Sequence, residues 1–217
     1  NPTGIVLEPE RMRALAGLGP MIVSDEIYHG LTYGDAEEHS ILEYTDNAVV
    51  IGGFSKAYAM TGWRLGYLIM PRDLVRPMQA LMQNFFLSTN SAVQKAGIAA
   101  LTCADEDVAR MHATYDERRR FLLGELKRLG FHIPVEPMGA FYVMAKLPVD
   151  DAEKFQLFML EEFDDNGDTL MFTPAESFYK TPHTGVNEIR MAYVINQDAL
   201  KRSMELLAKG IEAYNNK

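Results

Sequence analysis

Lys56 and Arg64 are the only charged residues between Asn47 and Pro71. They stand in the stretch GGFSKAYAMTGWRLGY, residues 52–67, among small, apolar and aromatic neighbours. Desolvation disfavours an ammonium ion, so a lysine in such surroundings can become the neutral amine that attacks a carbonyl. The same lysine could instead lay its stem on apolar surface and carry its charge out to water. Its neighbours separate the two readings. Asp25 closes the apolar run Met21–Val23, Tyr28 follows it, and Ser55 directly precedes Lys56. An amine, a carboxylate, a phenol, a hydroxyl and a guanidinium gathered around one point suit a ligand with a reactive aldehyde, a ring nitrogen to be kept protonated, and a phosphate.

For these groups to meet, the chain must bring distant positions together. The run Met21–Val23 ending at Ser24-Asp25 reads as a short buried strand. Ala48–Ile51 repeats the design, with Gly52-Gly53 turning the chain before Lys56. Segments of helical character precede both: LEPERMRALAGLG and HSILEYTDN. This alternation predicts an α/β layer with a mainly parallel sheet, in which ligands collect beyond the carboxyl ends of the strands. Asp25, Tyr28, Ser55 and Lys56 fall at those ends. RLGYLIM reads as a third, returning strand that brings Arg64 back. Helices follow over RDLVRPMQALMQNFF, where Pro77 should kink or break the helix, over SAVQKAGIAALTC, and from Asp105 to Leu129, where Gly130 stops it. From Phe131 the order is strand (AFYVMAKL), helix (DAEKFQLFMLEEF), short strand (TLMFTP), loop, strand (EIRMAYVI) and closing helix. The reading is therefore a sheet domain over residues 1–107 and a smaller α+β domain over 108–217, joined through the long helix.

The composition narrows the partners. The chain has 217 residues, 47% hydrophobic and 24% charged, enough to bury a real core. A formal net charge of −9 with no basic block leaves no footprint for nucleic acid or an anionic membrane. No apolar run reaches the roughly 18 residues needed to span a bilayer. Cys103 is the only cysteine, which excludes an intramolecular disulfide and fits a reducing, cytoplasmic setting. Nucleotide-loop and zinc-protease motifs are absent. The acidic run EEFDDNGDTLMFT places Thr173 where a calcium loop needs a bidentate glutamate, and reads as a solvated helix end and turn. The five histidines lack ligand spacing, so no metal site is expected. The chain opens on NPTGIVLEPE without an initiator methionine, and reads as part of a longer polypeptide.

Pyridoxal phosphate carries the aldehyde, the ring nitrogen and the phosphate that the Lys56 group suits. GFSKAYAMTGWRLG, residues 53–66, resembles the lysine signature of the class I and II pyridoxal-phosphate aminotransferases. NPTG at residues 1–4, SDEIY at 24–28 and the Arg190 segment NEIRMAYV resemble three further landmarks of that family, in order. The likeness covers the whole chain as the back half of such an enzyme. It implies the type I fold: part of a three-layer α/β/α sheet domain, followed by a smaller α+β domain.

The resemblance also implies roles. Lys56 would hold the cofactor as a Schiff base and, once freed, move the α-proton. Asp25 would pair with the pyridinium nitrogen. Tyr28 and Asn1 would hydrogen-bond the phenolic oxygen of pyridoxal 5'-phosphate. Arg64 would bind the phosphate, aided by Ser55, because Gly53 stands where many members have a phosphate-binding serine. Arg190, with Asn1, would take the substrate carboxylate. The remaining phosphate ligands and the ring that stacks on the cofactor would precede residue 1, so this chain should not complete a site alone. The implied protein is a homodimer exchanging amino groups between an amino acid and a 2-oxo acid, most like the bacterial-type branch with broad or aspartate preference. A carbon–sulfur lyase, or the aminotransferase-like sensor domain of a transcriptional regulator, would share the same apparatus.

Overall fold

A computed structural model describes all 217 residues. The chain forms two compact units, one of Val6–Ala113 and one of Thr114–Lys217 with Asn1–Ile5.

In the first unit, α1 spans Pro9–Ala16, with proline at its start, where a missing N–H costs nothing. It buries Met12. Strands β1 (Ile22–Asp25) and β2 (Ala48–Gly53) pair in parallel, Ile22 opposite Ala48 and Asp25 opposite Ile51. The segment between them is less helical than its pattern predicts. HSILEYTDN forms only a short 3₁₀ turn, Ile41–Glu43, closed by reciprocal capping between Ser40 and Glu43. Thr45, Asp46 and Asn47 follow it, residues that bond to their own backbone in preference to continuing a helix. The rest of this connection is held by two glutamates. Glu26 accepts from the Ser24 hydroxyl and the Ile41 N–H, while Glu38 accepts from the Gly30 N–H.

Strand β3 (Gly66–Ile69) returns antiparallel to β2, so the three-stranded sheet β1-β2-β3 is mixed. Met12, Ile41, Ala48 and Val50 form the core on one face, packed by Ile22, Leu42 and Tyr44. On the opposite face Val23 and Ile51 are exposed. Helix α2 (Arg72–Phe85) runs through Pro77 without a break. Pro77 and Asp73, whose carbonyl loses its N–H partner, both lie on the exposed side, where water can satisfy that oxygen. Helix α3 (Ser91–Cys103) is capped by the Asn90 side chain. Helix α4 (Asp105–Arg128) has three acids in its first turn and two bases in its last, as the helix dipole favours. Gly130, at φ 78, ends it.

The second unit takes up α4 from Thr114. Strand β4 (Tyr142–Lys146), helix α5 (Ala152–Glu161), the short strand β5 (Thr173–Pro174), strand β6 (Glu188–Ala192) and helix α6 (Gln197–Asn215) follow. The sheet order is β4-β6-β5, antiparallel throughout. Val143, Ile189, Leu126, Phe155, Met159 and Leu207 are among its fully buried apolar side chains. Helices α5 and α6 approach closely at Gly210, where a Cβ would lie 2.3 Å from the Met159 sulfur.

The acidic run ends α5 in a turn and is knit together by ion pairs. Arg202 Nη1 and Lys209 Nζ reach Asp165 Oδ2 at 2.8 and 2.7 Å. Hydrogen bonds from Lys209 and then Arg202 hold its carboxyl below the usual aspartate value. A carboxyl with a lowered folded pKa stabilises above the unfolded value near 3.8, and that stability is lost as pH falls through the folded pKa. Asp165→Asn should therefore lower Tm modestly at pH 7, the effect being limited by solvent exposure. The gap from wild type should close as pH falls through the lowered folded pKa. Thermal melts across that range check this, and equal Tm values at pH 7 would refute it.

Candidate active site

The parallel ends of β1 and β2 set up the first group of residues. Beyond Asp25 the Glu26 N–H still donates to the Ile51 carbonyl at 2.9 Å, continuing the ladder. Asp25 Oδ1 then accepts from the Ile27 N–H at 3.2 Å and turns the chain, leaving Tyr28 half-buried on the turn. Asp25 itself is exposed. It shares the uncovered face of the sheet with Val23, so the burial expected of it is not supplied by this chain.

Gly52 and Gly53 are closely packed. A Cβ on Gly52 would sit 2.4 Å from the Tyr67 ring, and one on Gly53 would sit 2.9 Å from Ile27 Cδ1 and 3.2 Å from the Leu65 carbonyl oxygen. Serine at position 53 would therefore have to push the Ile27 side chain aside, which accounts for glycine there. Three residues on, Lys56 is half-buried with Nζ 5.7 Å from the centre of the Tyr28 ring.

The segment from Lys56 to Arg64 is a closed loop. Met60 N–H donates to the Phe54 carbonyl at 3.1 Å and Phe54 N–H to the Leu65 carbonyl at 3.2 Å. Ala59 and Arg64 take left-handed conformations, φ 53 and 55, to make the bends. Thr61, which the sequence reading passes over, ties the loop together. Its hydroxyl donates to the Ser55 carbonyl and its own carbonyl accepts from Arg64 Nη1, both at 2.9 Å. Arg64 is thereby held near Ser55 and Lys56 while remaining exposed. A cavity of about 620 Å³ opens beside this loop, lined by Tyr58, Met60 and Trp63 together with Ala100, Cys103 and Met111. Lys56 does not line it.

In the second unit, the central strand β6 presents Arg190 on the face opposite the buried Ile189 and Met191. Its Nη1 donates to Asn1 Oδ1 at 2.8 Å, and Nη2 lies 3.4 Å from Thr173 Oγ1. The guanidinium carbon lies 4.5 Å from the centre of the Tyr142 ring and 5.0 Å from that of Phe178. Aromatic faces attract a guanidinium and limit its rotation. Neither ring is singled out by the sequence, and Thr173 figures there only in the calcium-loop comparison. The alternation of AFYVMAKL puts Tyr142 on one face of its strand, but pairing with β6 is needed to show that Arg190 shares it. The Asn1 segment is pinned at Gly4, whose carbonyl accepts from the Met138 and Gly139 N–H groups, both at 2.9 Å. Gly4 has φ 71, and a Cβ there would lie 2.4 Å from Pro137 Cβ.

Thus Asp25 and Tyr28 lie at and just beyond the carboxyl end of β1, Ser55, Lys56 and Arg64 lie in the loop from β2 to β3, and Asn1 meets Arg190. As a donor set, the first group fits pyridoxal phosphate: amine to aldehyde, carboxylate to ring nitrogen, phenol to phenolate, and guanidinium with hydroxyl to phosphate.

Comparison with known proteins bears on this arrangement. A family model described as aminotransferase class I and II matches residues 1–167. Aspartate aminotransferase of Geobacillus stearothermophilus is 31% identical over 98% of this chain and 56% of its own length. The (5-formylfuran-3-yl)methyl phosphate transaminase of Methanocaldococcus jannaschii is 33% identical over 94% of this chain and 54% of its own length. Among solved structures, aspartate aminotransferase from Thermotoga maritima superposes with a TM-score of 0.85 at 32% identity, covering 98% of this chain and 54% of that one. The chain spans about half the length of the curated relatives it matches. A family match over residues 1–167 of 217 makes the chain a member of the class I and II aminotransferase family.

Proposed function

We propose that the full-length protein is a pyridoxal 5'-phosphate-dependent aminotransferase that moves an amino group between an amino acid and a 2-oxo acid. The observation that carries this reading is the placing of the Lys56 amine, half-buried at the end of β2 and beside Tyr28, in the loop that Thr61 ties to Arg64. Bound pyridoxal phosphate supplies an electron sink for the electrons released at the substrate α-carbon.

The protein's own groups do the rest. Lys56 holds the cofactor covalently at rest and, once its amine is free, takes and returns the α-proton. Asp25 keeps the ring nitrogen protonated, and Tyr28 with Asn1 donates to the phenolic oxygen. Arg64 holds the phosphate with help from Ser55. Arg190 takes the substrate carboxylate through two parallel N–H bonds, with Asn1 beside it. Residues 1–107 act as part of the large cofactor-binding domain and residues 108–217 as the small domain. The exposed sheet face at Val23 and Ile51 supports a further polypeptide layer over it in the full-length protein. A homodimer in the cytoplasm is the working form; no helix here is long and apolar enough to cross a membrane.

The test is product analysis with full-length protein. Incubation with L-aspartate and 2-oxoglutarate should yield glutamate and oxaloacetate by ping-pong kinetics. Release of ammonia and a 2-oxo acid from cystathionine, without amino transfer, would replace this reading with that of a carbon–sulfur lyase.

A further inference from the structure

Arg119 occupies a place in α4 where an apolar residue is expected. With Leu122, Leu123 and Leu126 it makes an i, i+3, i+4, i+7 stripe, and all four are buried, Arg119 being only 6% exposed. A guanidinium in that position is costly unless its donors are used. They are used in one direction. Nε and Nη2 bond Asp116 Oδ1 at 2.9 and 2.8 Å, one turn back along the helix. Nη1 donates to the Pro137 carbonyl at 3.1 Å and lies 3.9 Å from the Met138 sulfur and 3.7 Å from Glu136 Oε1. The charge therefore clamps the segment Glu136–Met138 onto α4.

That segment in turn holds the start of the chain. Pro137 packs on Gly4, and the Met138 and Gly139 N–H groups grip the Gly4 carbonyl. Three residues before Gly4, Asn1 accepts from Arg190. We infer that Arg119 is a positioning residue for the substrate-carboxylate site: it fixes the Pro137–Gly139 turn, the turn fixes Gly4, and Gly4 sets Asn1 against the Arg190 guanidinium. The inference rests on the reading of Asn1 and Arg190 as carboxylate-binding. Leucine or methionine would fill the stripe at lower desolvation cost but could not hold the Pro137 carbonyl.

The test uses full-length, cofactor-loaded protein carrying Arg119→Met. Amide exchange at Met138 and Gly139 should quicken by about tenfold or more as the turn opens locally. KM for L-aspartate and for 2-oxoglutarate should rise by about tenfold with kcat within about threefold of wild type, because misplacement of a positioning group weakens binding first. The cofactor should stay bound, its visible spectrum changing only as far as loss of the Asn1 bond to its phenolic oxygen dictates. Arg119→Lys, which can still donate to Pro137, should recover part of the loss. Asn1→Ala should cost much less in the Arg119→Met background than in wild type, because both changes break one path. Penalties that simply multiply, or wild-type exchange at Met138 and Gly139, would overturn the inference. If Arg119→Met does not fold, Gly4→Ala attacks the same path from its other end; a normal KM in that variant would overturn it equally. Wild-type protein without turnover would overturn the proposed function instead, and amide exchange would still decide whether Arg119 holds the turn.

Discussion

Lys56→Ala should abolish transamination, lowering kcat by roughly four orders of magnitude or more, because it removes both the covalent anchor and the proton carrier. The full-length variant should still bind pyridoxal phosphate through Arg64, Asp25 and Tyr28, but borohydride treatment should no longer attach the cofactor to protein. Mass spectrometry after reduction reads this directly: a mass increase located at residue 56 in wild type and none in the variant. Folding should survive, since the Phe54–Leu65 loop is closed by the Thr61 bonds and by backbone hydrogen bonds that use no Lys56 side-chain atom. Lys56→Arg is the sharper control. It retains length and charge but cannot become a neutral amine at working pH, and should be as inactive as alanine. Appreciable turnover in Lys56→Arg would mean that residue 56 acts only as a cation, and the mechanism assigned to it would be wrong.

The second large effect is expected at Arg190. Arg190→Ala should lower kcat/KM by about 10³-fold, roughly 4 kcal/mol, as loss of a charge-assisted pair leaves the substrate carboxylate without its partner. Arg190→Lys should recover only part of this, because an ammonium cannot make two parallel bonds to a carboxylate or lie flat against Tyr142 and Phe178. Most of the change should fall in KM for both substrates, with the cofactor spectrum and the borohydride reaction intact. Steady-state kinetics against amino acid and 2-oxo acid separately will show whether both half-reactions suffer alike. A defect confined to one substrate would mean that Arg190 reads a side chain and not the α-carboxylate common to both.

The two predictions differ in how much of their basis is visible in the sequence. Lys56, Ser55 and Arg64 lie within one short segment, and the apolar run, glycine pair and return strand around them are local patterns. Such patterns survive translation into structure because strand alternation and turn preference act over a few residues. Asp25 follows from the same logic one strand earlier. Local signals also misled. HSILEYTDN has helical spacing but yields one capped turn, because Glu26 takes the Ile41 N–H and Thr45 takes the Asn47 N–H, bonds that compete with a continuing helix. Pro77 reads as a break, yet α2 continues, because the carbonyl it orphans faces solvent.

Arg190 was legible only through its family-like segment. On residue types alone it is a cation on a half-buried strand. Its meaning comes from Asn1, 189 positions away, and from Tyr142, Thr173 and Phe178 on other elements. Arg119 stands in line with Leu122, Leu123 and Leu126, but only the packed structure shows that it turns inward and which groups, Asp116 and the Pro137 carbonyl, take up its donors.

By itself, then, the sequence determined the chemistry-bearing loop, its place at the carboxyl end of a strand, and the family to which the chain belongs. Tertiary structure decided which side chains hold Arg190, what pins Asn1, how closely residues 52 and 53 pack against Tyr67 and Ile27, and that Asp25 stands exposed on this chain. The division has a physical cause. Alternation, turns and the small residues around a reactive amine are set by neighbours along the chain, whereas sheet register and the choice of which charge to bury are set by packing between segments that composition and spacing do not relate.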